Sequence, residues 1–294
     1  MSSTVIPVQS GAAASSDELK DTLRVPTAAG HMVVDVWRAR TATQAAPILL
    51  VHGWGGTGTY WKNTAALLSA TTTVIVPDLP GTGRSQPVRR AQNMYDQVNA
   101  LRDLLDHLKL DRVQVVGHSM GSAMALLLTD SQPDRIERLV LTSLSFFVTE
   151  SQQQIYRVFM GAFALTMVFR ASWLENIPAM WRMMAARYFH QIPDDEAILK
   201  QGWSDYLRLD YGTAIACAKN AADSTIPKAG AKVRVPTLLI ACRQDQVMPV
   251  ENVEHTARTI PNCEVAWIDQ CGHMPMIEQP DIYHAHLRRF LALE

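Results

Sequence analysis

The sequence predicts an α/β fold: a mostly parallel sheet with helices packed on both faces. Three observations carry this. Short unbroken aliphatic runs alternate with longer stretches of helical periodicity, and most of those runs end in turns rich in Gly, Asp, His and Ser. One long segment, 148–232, abandons the alternation for helical pattern alone. In order, 23–25 and 32–39 read as an antiparallel opening pair, followed by strands at 48–51, 74–76, 113–116, 139–142, 238–241 and 265–268. Their lack of in/out alternation is what strands covered on both faces require. The intervening helices are expected at 60–68, 94–108, 120–128, 250–258 and 282–291. In such a sheet ligands bind beyond the C-terminal ends of the strands.

The loops at those ends carry the chemistry. Gly117-His118-Ser119-Met120-Gly121 joins an apolar strand to a helix, the setting of a nucleophile elbow, where a serine sits on a strained turn and flanking glycines let backbone pass closely. A serine hydroxyl is a poor nucleophile at neutral pH, so a base must take its proton and a carboxylate must orient that base. Asp245 lies in the loop after strand 238–241, and His273 in the loop after strand 265–268. The alternative for Asp245 is a cap for the helix near 250, but the loop at 142–148 contains no acid to replace it.

The chain order Ser119, Asp245, His273 resembles that of the α/β-hydrolase superfamily. The similarity extends to His52-Gly53-Trp54-Gly55-Gly56, which resembles the family's oxyanion loop, and to Asp78-Leu79-Pro80-Gly81-Thr82-Gly83-Arg84-Ser85, its D-x-x-G-x-G-x-S turn. Gly272-His273-Met274-Pro275 with Glu278 and Pro280 matches its histidine loop. Cys242 departs from the glycine that relatives commonly carry three residues before the acid. The resemblance implies an α/β-hydrolase fold with an eight-stranded, mostly parallel sheet and a helical cap inserted after the sixth strand. It also implies Ser119 as nucleophile, His273 as base, Asp245 as its orienting acid, and the amides of Trp54 and Met120 as the oxyanion hole, with no cofactor and no metal. Asp78 reads as a loop-organising carboxylate and Asp269 as a turn residue.

The expected organisation is a core at 1–147 with a flexible leader at 1–16, a cap at 148–232, and the rest of the core at 233–294. The cap is rich in Met and aromatic residues. At helical spacing such residues pack inward first, but a small cap has little interior, so some must face the cleft and build an apolar pocket. Trp54, His118, Phe163, Met167, Trp181 and Val247 are the candidate substrate contacts. The run 158–169 is apolar on too many sides for a solvated helix, so it is expected either beneath the rest of the cap or in the wall above Ser119.

A net charge of −1 with scattered Lys and Arg provides no basic face for nucleic acid. Four cysteines without a C-x-x-C pair, and no histidine cluster at ligand spacing, disfavour a disulfide scaffold and zinc. His284-Ala285-His286 reads as a solvated helix face. The leader lacks a signal-peptide pattern, and the longest apolar run falls short of the roughly 20 residues that span a bilayer, so no stable membrane insertion and a cytoplasmic location are expected. Gly-His-Ser-Met-Gly and His-Gly-Trp resemble serine esterase, monoacylglycerol-lipase and perhydrolase-like members. The expected substrate is therefore a small carboxylic ester with an apolar acyl or alcohol part. C–C, lactone or thioester cleavage, cofactor-free perhydrolysis, and a ligand receptor on the same fold stay open at this point, as does the oligomeric state.

Overall fold

The computed structural model of the protein describes residues 20–41, 44–166 and 172–293; the side chains of 159–166 and 172 lie outside that description. So do the leader expected at 1–16, the Phe163 side chain and Met167. Eight strands form one sheet: β1 (Lys20–Thr27), β2 (Gly30–Trp37), β3 (Ile48–Val51), β4 (Val74–Asp78), β5 (Val113–His118), β6 (Ile136–Thr142), β7 (Thr237–Cys242) and β8 (Cys263–Ile268). Their order is β1-β2-β4-β3-β5-β6-β7-β8, with β2 antiparallel to both its neighbours and every later pair parallel.

The helices are α1 (Lys62–Leu68), α2 (Met94–His107) and α3 (Met120–Ser131) in the first half of the core. Then come α4 (Glu150–Thr166), α5 (Pro178–Tyr188), α6 (Glu196–Arg208), α7 (Tyr211–Asn220) and α8 (Thr225–Gly230), all between β6 and β7. The chain closes with α9 (Val253–Thr259), α10 (Pro275–Glu278) and α11 (Pro280–Phe290). Strand period two divides the aliphatic runs between two cores. Leu49, Val51, Leu139, Leu141 and Leu239 meet α2, α3 and α9, while Ile48, Leu50, Val140, Leu238 and Ile240 meet α1 and α11. α2 begins in a capping box, in which the Asn93 side chain accepts from Asp96 N at 2.9 Å and Asp96 Oδ2 accepts from Asn93 N at 3.0 Å. Such a cap contributes about 1 kcal/mol. α3 is apolar on nearly all sides because it is buried on nearly all sides.

The insertion between β6 and β7 has a core of its own, formed by Trp181, Ala185, Leu199, Trp203, Tyr206, Leu209 and Ala214. Its far end is strapped to the sheet side: Asp210 N donates to Gly81 O at 2.9 Å, Trp54 Nε1 to Ala214 O at 2.9 Å, and Thr57 Oγ1 to Asp205 Oδ2 at 2.8 Å. α8 packs on α3, with Ile226 and Ala229 in the sheet-side core. On α4, Val158 is 68% exposed, so the described start of the 158–169 run is not covered by the rest of the insertion. Among the described residues no helix is long and apolar enough to cross a membrane.

The expected solvated face at 284–286 is corrected at His284. This residue is buried, and its Nε2 lies 3.0 Å from Thr64 Oγ1. The apolar stripe Tyr283, Leu287 and Phe290 turns α11 onto α1, and position 284 turns inward with it.

Candidate active site

The elbow follows from what its glycines permit. Ser119 has φ 54° and ψ −123°, a left-handed conformation that costs a β-carbon-bearing residue about 1–3 kcal/mol, and its N–H is tied to Thr142 O at 2.8 Å. A Cβ on Gly117 would stand 2.5 Å from Gly121 O, and one on Gly121 would overlap the Val51 carbonyl and stand 2.5 Å from His52 O. Only glycine lets α3 cross this close to the end of β3. Gly53 packs nearly as tightly, since a Cβ there would lie 3.1 Å from Ser119 Cβ. Trp54 and Met120, which opens α3, therefore flank the serine from two sides.

The acid loop turns where β7 ends. Cys242 O accepts from Asp245 N at 3.3 Å, and Asp245 Oδ1 accepts from the amides of Val247 and Met248 at 2.8 and 3.1 Å. Its other oxygen, Oδ2, lies 2.8 Å from His273 Nδ1, and the two side chains are 4% and 1% exposed. Burial pushes the Asp245 carboxyl up, but His273 and the two amides outweigh it and hold it below the usual range. An ionised carboxylate only accepts, so Nδ1 carries the proton and Nε2 of the neutral ring is left to accept. His273 N donates to Tyr188 O at 2.7 Å, and its carbonyl accepts from Ser143 Oγ at 3.1 Å. Glu278 accepts from Gly272 N at 2.8 Å and from Gln191 N at 2.7 Å, joining the histidine loop to the chain just after α5.

Neither Ser119 Oγ nor His273 Nε2 has a hydrogen-bond partner among the described residues, and the two residues border one cavity of about 1340 Å³. In enzymes free of substrate, hydrogen bonds within an active site are often long and tighten when substrate binds. The cavity is also bordered by Asp245, Trp54, Met120, His118, Trp181 and Val247. His118 contributes wall rather than polar reach, because both ring nitrogens are bonded within the protein, Nδ1 to Tyr60 Oη and Nε2 to the His273 carbonyl. The Phe163 side chain and Met167 lie outside the described residues. Sequence reasoning missed Tyr60 and Tyr188, whose contacts with His118 and His273 span long stretches of chain and leave no local pattern. Asp78, which accepts from Gly58 N at 2.8 Å and Arg84 Nε at 2.8 Å, ties the 78–85 turn to the loop after β3. Among the described residues no group of three or more His, Cys, Asp or Glu could hold a metal ion.

Residues 46–280 match the α/β hydrolase fold family. The chain belongs to that family. It is 26% identical over 263 residues to an uncharacterized protein of Mycobacterium tuberculosis, covering 86% of this chain and 77% of that one. It is 27% identical over 262 residues to a 2-hydroxy-6-oxo-2,4-heptadienoate hydrolase of Pseudomonas putida, covering 84% and 90%. In fold it is similar to a thermophilic esterase from Thermogutta terrifontis, with a TM-score of 0.74 at 24% identity, over 92% of this chain and 98% of that one. The protein is an enzyme of the α/β-hydrolase type.

This hydrolase is expected to be acid-sensitive. Burial lowers His52 and His284, and it pushes His118 down to about 3 with help from the neighbouring His273. Unfolded histidine titrates near 6.5, so below about that pH the unfolded chain binds protons that the folded chain refuses. Stability from these groups is complete above that point and is lost progressively as pH falls from there towards the lower folded values. Asp78 and Asp245, both held low, lose theirs later, as pH drops through the unfolded carboxylate range near 4 towards their folded values. The melting temperature should be flat between about pH 8 and pH 7 and fall steadily from about pH 6 to pH 4. A melting temperature that rises on acidification would contradict this reading of the buried histidines.

Proposed function

We propose that the protein is a serine hydrolase acting on a small carboxylic ester with an apolar acyl or alcohol part. The observation that carries this is the buried His273–Asp245 pair, at 2.8 Å, in one cavity with a serine held on a left-handed elbow. In this reading Ser119 Oγ attacks the carbonyl and His273 Nε2 takes its proton. Asp245 holds the tautomer in which Nε2 is bare and stabilises the imidazolium that forms. The amides of Trp54 and Met120 receive the negative charge of the tetrahedral intermediate. Collapse expels the alcohol, which takes the proton from His273, and water then releases the acyl group from Ser119 by the same steps in reverse.

The preference for apolar groups rests on the wall. Trp54, Trp181, Trp203, Tyr206, Met184 and Phe146 border the cavity, with few charged groups among them. Each methylene buried there contributes up to about 0.8 kcal/mol, or roughly fourfold in kcat/KM. Efficiency on p-nitrophenyl esters should therefore rise from acetate to medium chains, and a flat or falling profile would favour a small-substrate, perhydrolase-like enzyme. C–C cleavage is the second reading, supported by the similarity to the Pseudomonas putida hydrolase. Turnover of vinylogous 1,5-diketones in preference to esters would select it.

A further inference from the structure

One chain of hydrogen bonds runs beneath the site, and its proton arrangement has a single solution. Gly53 N–H donates to Tyr60 Oη at 2.6 Å, so the phenol must spend its own proton elsewhere. Its other partner is His118 Nδ1, at 2.9 Å. His118 Nε2 lies 2.9 Å from the His273 carbonyl, which can only accept. The proton of His118 is therefore on Nε2, Nδ1 is bare, and Tyr60 donates to it. A charged His118 would need an acceptor at both nitrogens. Tyr60 Oη could then serve only by leaving its own proton without a partner, which is costly in a buried setting. His118 is 3% exposed, its ring meets Tyr60 edge-on at 5.5 Å, and the other charged or titratable groups around it are His273, Asp245 and His52.

The two ends of this chain are the two loops whose spacing decides catalysis. Gly53 immediately precedes Trp54 in the loop after β3, and the far end is the backbone of His273 itself. We propose that Tyr60 and His118 are positioning residues that hold the oxyanion loop and the catalytic base at one spacing. This rests on the roles given above for Ser119, His273 and Trp54. His118 sits next to the nucleophile in sequence, yet here it works through the backbone of the base rather than on substrate. Being neutral and locked in one tautomer, it holds that spacing while His273 gains and loses its proton. An error of about 1 Å in such a spacing costs on the order of 100-fold.

The test has two arms. Nitrogen-15 NMR of the imidazoles in the full-length protein should show His118 neutral, protonated on Nε2, and unchanged from about pH 5 to pH 9. Protonation on Nδ1, or titration near pH 6.5, would overturn the proposal whatever the enzyme's substrate. In the kinetic arm, Tyr60→Phe removes one hydroxyl, and kcat per fluorophosphonate-titratable site should fall about 10- to 100-fold with KM nearly unchanged. His118→Gln, whose terminal N–H can reach the His273 carbonyl, should retain more of kcat than His118→Leu. Unchanged kcat per labelled site in Tyr60→Phe, even with a lowered melting temperature, would reduce the chain to a structural role and sink the proposal. If the parent enzyme takes no label at Ser119, the assigned nucleophile fails and the positioning role falls with it, while the NMR arm still reports whether the Tyr60–His118 link exists.

Discussion

Ser119→Ala is expected to abolish ester turnover and active-site labelling while leaving the thermal transition close to that of the parent. The hydroxyl makes no hydrogen bond among the described residues, so its removal leaves no buried partner unsatisfied there. The elbow's conformation is imposed by Gly117, Gly121 and the Thr142 carbonyl rather than by the hydroxyl, and alanine keeps the Cβ that packs near Gly53. What disappears, in the proposed mechanism, is the atom that forms the covalent bond. Losing the nucleophile of a triad lowers kcat by about 10⁴-fold or more, because the remaining members have nothing to activate. Parent-like turnover in this variant, measured at matched protein concentration, would rule out the covalent route.

The second large effect is expected at Asp245→Asn, and the hydrogen bonds dictate its mechanism. Two backbone amides point at Oδ1, so an asparagine must place its carbonyl oxygen there to satisfy them. Its NH2 group is then forced into the place of Oδ2, facing His273 Nδ1. A donor in that place requires Nδ1 to accept, which moves the ring proton to Nε2 and leaves no base for Ser119. The variant should fold, take up substrate, and lose about 10³- to 10⁴-fold in kcat. Near-parent kcat would mean that the acid comes from elsewhere, although 142–148 contains no carboxylate to supply it.

Much of the candidate site was legible because its signals are local. A nucleophile elbow needs glycine at two fixed offsets, and the Cβ clashes at Gly117 and Gly121 show why. Period two explains how the β3, β6 and β7 runs could be read as covered on both sides, and Asp245 and His273 fall just beyond strand ends recognisable by the same rule. The illegible parts are contacts between distant segments. Nothing near Tyr60 announces that its hydroxyl meets His118, and nothing near Tyr188 announces that its carbonyl holds the His273 amide. His284 was misread for the same reason: its pattern suits a solvated face, but α1 happens to lie across it with Thr64 in reach. The insertion was legible as helical and Met-rich, whereas the packing of α8 on α3 depends on a docking that no periodicity encodes.

The most direct test of the proposed mechanism is to trap the acyl-enzyme. The protein would be mixed with a slowly deacylating p-nitrophenyl ester, quenched in acid during the burst, digested, and the modified peptide located by mass spectrometry. The expected result is one acyl group per active site, on Ser119, formed in step with the nitrophenolate burst and absent from Ser119→Ala. Steady turnover with no burst and no acylated Ser119, or an acyl group on another residue whose loss abolishes activity, would contradict it.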